Sequence, residues 1–308
     1  MRMGNQTNLK EFILLGFPGS WYLQLTLFML FLFMYILTLL GNITIISLVG
    51  THRRLHSPMY YFLCNLSFLD ILFTTAYIPQ TLSNLVSQSK AISFSSCLLQ
   101  MYFVFSLGCT EYLLLAVMAY DRYLAICHPF YYSSAMNNTF FSQLAFGSWV
   151  SGFLTVSGPA FLISRLTFCG PTIINHFFCD IDSWIALSCT DTHLIEMVYI
   201  ILSFIIVLGS CVVTIVSYIY IISTVLRIKS TKGWQKAFST CSAHLMVVVI
   251  WYGCSIFLYV QPSKQNSLPM NKIVTLLNMY TTPLLNPFIY TLRNKEIKEI
   301  LKEVFSMR

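Results

Sequence analysis

The sequence predicts an all-α membrane protein, a bundle of seven transmembrane helices with its N-terminus outside. Three observations carry this. Of 308 residues, 56% are hydrophobic and only 9% are charged, too few charges to coat a soluble domain. Charge-free runs at 12–51, 71–89, 91–110, 123–164, 197–226, 237–263 and 273–292 mostly reach the roughly 20 residues that a spanning helix needs. The basic residues gather on one side of the spans that these runs define.

In chain order the spans have cores at 25–48, 58–82, 96–127, 140–162, 197–226, 238–260 and 272–292. The second joins two apolar runs across Asp70. Short connections make the helices neighbours in one bundle, with no room for a second domain. The expected organisation is an outer segment at 1–24, the bundle at 25–292 and an inner tail at 293–308. Unbroken runs of this length exclude the alternating ten-residue strands of a β-barrel. The first run is itself of spanning length and lacks a small-residue cleavage site, so the first helix is expected to serve as the signal.

With the N-terminus outside, twelve basic residues lie inside (Arg53, Arg54, Arg122, Arg227, Lys229, Lys232, Lys236, Arg293, Lys295, Lys298, Lys302, Arg308) and six outside (Arg2, Lys10, Lys90, Arg165, Lys264, Lys272). The net +7 therefore reads as topology. A nucleic-acid binder would cluster its bases on one solvated face, and no nucleic-acid partner is expected.

The ten cysteines divide by side: Cys97, Cys169, Cys179 and Cys189 are outer, Cys64, Cys109, Cys211 and Cys254 lie within spans, and Cys127 and Cys241 lie near inner ends. Four cysteines on the oxidising side permit three disulfide pairings, and three of the four fall in the long outer loop at 165–196. The "HFFCD" string from His176 has metal-ligand residue types, but a bridged cysteine is not available as a ligand. Four glycosylation sequons occur, at Asn5, Asn42, Asn65 and Asn137, and this topology leaves only Asn5 outside.

A charge at the bilayer centre costs on the order of 2.5–3.5 kcal/mol, which makes Asp70 and Glu111 informative. Two carboxylates facing one bundle interior repel unless a sodium ion or a shared proton lies between them. Alternatively each is neutral and hydrogen-bonded to Asn42 or Asn286 as a packing element. No zinc-protease, nucleophile-elbow or phosphate-loop motif is present, which argues against an enzyme. A transporter would show an internal repeat, and the two halves are not similar.

At the inner end of the third span stands Asp121-Arg122-Tyr123, within "MAYDRYLAIC" from Met118. With "GN" at Gly41, "LHSPMYYFL" from Leu55, "SY" at Ser217, "KAFSTCSAHL" from Lys236 and "PLLNPFIYTLRN" from Pro283, it resembles the odorant (olfactory) receptor family, tetrapod-type branch, of the rhodopsin-like G-protein-coupled receptors. Ser57 and Trp251 depart from the family's commoner Thr and Phe, and the fifth and sixth spans lack a proline hinge.

The resemblance implies Cys97–Cys179 and Cys169–Cys189 bridges, and a sodium site at Asp70 and Glu111 with Asn286 nearby. It implies no other cofactor. It assigns coupling and activation to Asp121, Arg122, Tyr123, Tyr218, Lys236, His244, Asn286, Pro287 and Tyr290. Asp121 would hold Arg122 at rest, and activation would free Arg122 to meet Tyr218 and the olfactory stimulatory α subunit of a heterotrimeric G protein, raising cyclic AMP. "RNKEIKEILKEVF" from Arg293 has the charge pattern of a short amphipathic helix on the inner leaflet, which makes membrane lipid a partner. The implied location is the plasma membrane of olfactory sensory neuron cilia.

A ligand pocket is expected in the outer half of the bundle. Met101, Val104, Phe105, Gly108 and Cys109 form one stripe of the third span. Leu202, Ser203 and Ile206 of the fifth span, Tyr252, Ser255 and Tyr259 of the sixth, and Leu276 and Met279 of the seventh complete the set. Such a lining suits a small, volatile, weakly polar odorant. The absence of an acid at Val104, where amine receptors carry one, disfavours a cationic amine. A non-odorant small-molecule receptor and a channel or transporter are the alternatives.

Overall fold

The computed structural model describes residues 11–169, 172–227, 231–260, 268–293 and 295–306. Seven long helices stand where the apolar runs predict them: α1 (Trp21–Thr51), α2 (Pro58–Val86), α3 (Phe94–Cys127), α5 (Asn138–Ile163), α7 (His193–Leu226), α8 (Thr231–Val260) and α9 (Leu268–Arg293). Two short helices intervene, α4 (Pro129–Ala135) and α6 (Ile181–Leu187), and α10 (Lys295–Ser306) follows the last. Each long helix outruns the apolar core expected for it. The widest extension is the first turns of α8, where the polar stretch from Thr231 is already helical.

Among the described residues, α1, α2, α3, α5 and α7 are long and apolar enough to cross a membrane. Their outward residues are hydrophobic: α7 exposes Ile201, Phe204, Ile205 and Leu208. Lipid rather than water is the solvent such a face requires. The apolar part of α8 is shorter, His244–Phe257, and α9 dilutes its apolar residues with Asn271, Lys272, Asn278 and Asn286. Prolines lie inside α2 (Pro79), α5 (Pro159) and α9 (Pro283 and Pro287).

The chain divides into two compact units. The first holds the described residues up to Tyr35, Leu72–Thr110 and Val150–Ile205. It contains a three-stranded sheet that the sequence reading did not foresee. β1 (Glu11–Leu14) pairs antiparallel with β2 (Ala91–Ser93) and parallel with β3 (Ile173–Ile174). Period-2 alternation sends Phe12 and Leu14 inward and leaves Glu11 and Ile13 outside. Phe12 packs at 4.9 Å from Trp184 and 5.4 Å from Phe168, ring centre to ring centre, in an aromatic cluster that includes Phe94. Gly16 then turns the chain with φ +58°, donating its N–H to His176 O at 3.0 Å, in a conformation that glycine adopts without steric cost.

The same unit carries two disulfides, Cys97–Cys179 and Cys169–Cys189, closing sequence separations of 82 and 20. Gln100 of α3 secures the first bridge: its Oε1 accepts the Cys179 N–H at 2.9 Å, and its Nε2 donates to Ala76 O at 3.3 Å. The short α6 is seated by buried Ile181 and Trp184.

The second unit holds Ile36–Ile71, Glu111–Trp149 and the described residues from Ile206 onward. Gly41 lets α1 meet α9 closely, since a Cβ there would lie 2.7 Å from Pro287 Cγ. Asn42 fixes the same contact: its Nδ2 donates to Thr38 O at 3.0 Å and to Pro283 O at 3.2 Å. Trp149 of α5 donates from Nε1 to Asn65 Oδ1 of α2 at 3.1 Å. A packed cluster of Ala119, Tyr218, Ile221, Val225 and Cys241 joins α3, α7 and α8.

Candidate functional site

Two sites are built in the second unit, and both use polar groups that the helices enclose. The first is the inner end of α3. Arg122 and Asp121 are adjacent and nearly fully buried, and Asp121 Oδ2 accepts hydrogen bonds from both Nε, at 2.9 Å, and Nη2 of Arg122. This fork engagement is the stronger kind of ion pair, because the guanidinium cannot deprotonate and two bonds fix its orientation. The other carboxylate oxygen, Oδ1, accepts a 2.7 Å hydrogen bond from Tyr132 of α4. Burial, and then the Asp121 charge, push the Tyr132 phenol above its ordinary value, so it stays a donor at any physiological pH.

Beside this pair, Tyr218 of α7 is committed elsewhere: its hydroxyl shares a 2.7 Å hydrogen bond with His244 Nδ1 and reaches Cys241 O at 3.3 Å, both on α8. The two rings also stack, with centres 5.8 Å apart. A cavity of about 10 Å³ is bounded by Met59, Met118, Asp121, Arg122, His244 and Tyr290, so residues of α2, α3, α8 and α9 converge on Arg122. That volume is close to the lower limit for a single water, and the helices are closed around the arginine. Tyr123 does not line this cavity; its ring packs against the Tyr218 and Cys241 cluster, and its hydroxyl meets His128 Nε2 at 3.0 Å. Lys236 lies in α8, with its side chain outside the described residues.

The second site is the buried polar core. Asp70 and Glu111 are each 0% exposed, and Glu111 is within Coulombic reach of Asp70. Asn286 Nδ2 donates to Asp70 Oδ2 at 2.9 Å. Both Glu111 carboxylate oxygens, Asn286 Oδ1 and Asn42 Oδ1 are buried without a hydrogen-bond partner among the described residues. The Asp70 and Glu111 carboxylates and the Asn286 amide oxygen are hard donors, suited to a hard cation and not to a soft metal. The residues therefore fit the sodium ion that the resemblance implies.

The expected ligand residues fall in both units, and each group is described on its own. In the first unit Met101 and Val104 are buried, while Phe105, Gly108, Cys109, Leu202 and Ser203 are half-buried. Phe105 packs edge-on against Tyr199 at 6.2 Å and near Phe178 at 6.4 Å. In the second unit Tyr252, Ser255 and Met279 are buried, and Ile206 and Leu276 are half-buried. The Tyr259 side chain lies outside the described residues, as does the whole of Asn5.

Three residues that the sequence reading did not single out contribute here: Tyr112, Tyr132 and Tyr199. Tyr112 bonds the Ser255 hydroxyl and lies 5.4 Å from the Trp251 ring and 5.3 Å from the Tyr252 ring. Its signal was present, since it continues the stripe of Gly108 and Cys109 at i+4 and i+3. Tyr132 had no such signal, lying in the connection between the third and fourth spans, eleven residues from Asp121.

The family model described as "Olfactory receptor" matches residues 31–308. The chain is 60% identical to human Olfactory receptor 6F1, covering 98% of each chain. It is 59% identical to rat Olfactory receptor 287, covering 94% of each, and 50% identical to human Olfactory receptor 6J1 over 98% of this chain and 88% of that one. In fold it matches the crystal structure of squid rhodopsin with a TM-score of 0.74 at 14% identity, covering 94% of this chain and 87% of that chain. The chain belongs to the olfactory receptor family, and is a multi-pass membrane receptor of the rhodopsin-like G-protein-coupled class and not an enzyme.

Proposed function

We propose that the receptor binds a small, volatile, weakly polar odorant and signals through the olfactory stimulatory α subunit to raise cyclic AMP, at the plasma membrane of olfactory sensory neuron cilia. One observation carries this reading: the Arg122 guanidinium is held by Asp121 while Tyr218, its expected partner in the active state, is held by His244. These are two separate engagements at one inner face, and both must break before Arg122 and Tyr218 can meet. A ligand that binds the active arrangement better shifts the population toward it, and α8 moves outward to admit the G protein.

The ligand chemistry follows from the apolar Met101, Val104 and Phe105 face of α3, with a hydroxyl supplied by Ser203. Dispersion and one or two hydrogen bonds then set affinity. Sodium would be held by Asp70 and Glu111 with Asn286, supplying a positive charge that offsets two buried carboxylates. Asn286 would keep Asp70 oriented toward it.

The test is cyclic AMP in cells expressing the receptor with that α subunit, against a chemically diverse volatile panel, with Arg122→Ala alongside. A response that the variant loses at equal surface expression supports the proposal. A response that survives in Arg122→Ala overturns the assigned role of the arginine.

A further inference from the structure

The two outer disulfides stand in opposite surroundings. Cys97 and Cys179 are each 0% exposed and lie inside the apolar cluster that holds Phe12, Met101 and Trp184, whereas Cys169 and Cys189 are both exposed. Exchange with a free thiol requires a thiolate to reach one sulfur of the bridge, so access divides the pairs. The first is shut away from solvent, and the second is open to it.

The chain around the exposed pair is held in register by more than the bridge. The Cys189 N–H donates to Thr167 O at 3.0 Å, the Thr167 N–H donates to Thr190 Oγ1 at 3.1 Å, and the two threonine hydroxyls meet at 2.6 Å. Phe168 and Ser188 form an antiparallel bridge beside them. Two thiols left at these positions would stay neighbours, and that proximity favours reclosure through a high effective concentration. The disulfide spans 20 positions of chain, and α6 with its buried Trp184 lies between its ends. The Phe168 ring, next to Cys169 in the chain, is 5.7 Å from Trp184 and 5.4 Å from Phe12, and Phe105 packs against the same cluster. A bond at the surface is therefore one ring away from the apolar core of the first unit.

We propose that Cys169–Cys189 is a thiol-exchange site for low-molecular-weight thiols of the outer medium, of which reduced glutathione is the simplest probe, and that its opening loosens α6. A thiolate bonds to one of the two sulfurs as the Cys169–Cys189 bond breaks, and the displaced sulfur leaves as a thiolate and takes a proton. A second thiolate then attacks the mixed disulfide. The protein pair ends as two thiols, and the two small thiols end as one disulfide carrying the oxidation. Exposed disulfides are the labile class, while enclosed ones resist reduction. The proposal goes beyond odorant recognition, and no odorant is needed to test it.

The purified full-length receptor is incubated with reduced glutathione, quenched with an alkylating agent, and its cysteine peptides are followed by mass spectrometry. Cys169 and Cys189 are expected to take up label or glutathione roughly tenfold or more faster than Cys97 and Cys179. Oxidised glutathione should then restore the bridge. Equal rates for the two pairs overturn the proposal, as does a bridge that does not re-form. Hydrogen exchange in Ile181–Leu187 should quicken once the bridge opens, with α5 unchanged. Unchanged exchange there overturns the loosening of α6. Cys169→Ser with Cys189→Ser should show the quickened exchange without glutathione, and the wild-type measurement stands by itself should that variant fold poorly.

Discussion

Tyr132 donates a 2.7 Å hydrogen bond to Asp121, so the carboxylate that grips Arg122 is itself gripped from the inner loop. The Asp121–Arg122 pair is thus buttressed by a residue ten positions along the chain from the arginine, carried on the separate helix α4. A hydrogen bond to a charged group contributes about 1.5–3 kcal/mol. Tyr132→Phe removes that bond and little else. Basal cyclic AMP, normalised to surface expression, is expected to rise several-fold without odorant; a basal level equal to wild type would show that Asp121 holds Arg122 unaided.

Close helix contact makes a second expectation. A Cβ on Gly152 would collide with Thr110 Oγ1 and approach the Thr110 N and Ser106 O backbone atoms at 2.8 and 2.9 Å. Backbone cannot step aside as a flexible side chain can, so Gly152→Ala is expected to destabilise by about 1–3 kcal/mol or more and to reduce surface expression sharply. Gly147 has open space at the same point, and Gly147→Ala should be neutral. Surface immunostaining and thermal unfolding of the two variants decide this.

Ser255 and Tyr112 are coupled across α8 and α3. Ser255→Ala leaves the Tyr112 hydroxyl, and Tyr112→Phe leaves the Ser255 hydroxyl, without that partner. Each is expected to shift odorant potency, and the double variant to shift it by less than the sum of the two, because the same bond is lost once. Additive shifts in concentration–response curves would mean that the two residues act independently.

Asp180 gives the outer loop a pH dependence. Burial, and then the charge of Asp182, push its carboxyl up to about 7, partly offset by the backbone N–H groups of Ser183, Asp182 and Ile181. A folded-state value above the ordinary one means that the folded loop holds its proton more tightly than the unfolded chain does. Stability is then greatest below about pH 4, declines as pH rises toward 7 and levels off above it. Hydrogen exchange in α6, corrected for intrinsic rate, should quicken between pH 5 and 7 on the order of the linkage slope, and Asp180→Asn should remove the trend. A trend that persists in the variant would assign it to another group.

The helices and their order were legible because each depends on local properties, length and hydropathy. Arg122 and Asp121 were legible too, as an adjacent ion pair in an apolar run. The small sheet was not. β1 is four residues long, and its partners lie about 80 and 160 positions away, so nothing within its own window distinguishes it from an irregular segment.

The sequence by itself determined the fold class, the family and the identity of the charged residues, since burying so few charges in so much apolar chain leaves one solvent and one architecture. Only the tertiary structure decided which groups satisfy one another: Tyr132 with Asp121, His244 with Tyr218, Tyr60 with Glu296, Asn286 with Asp70. A buried polar group must find a partner wherever the packed helices bring one, and that choice is made by the geometry of approach, across 236 positions of chain between Tyr60 and Glu296.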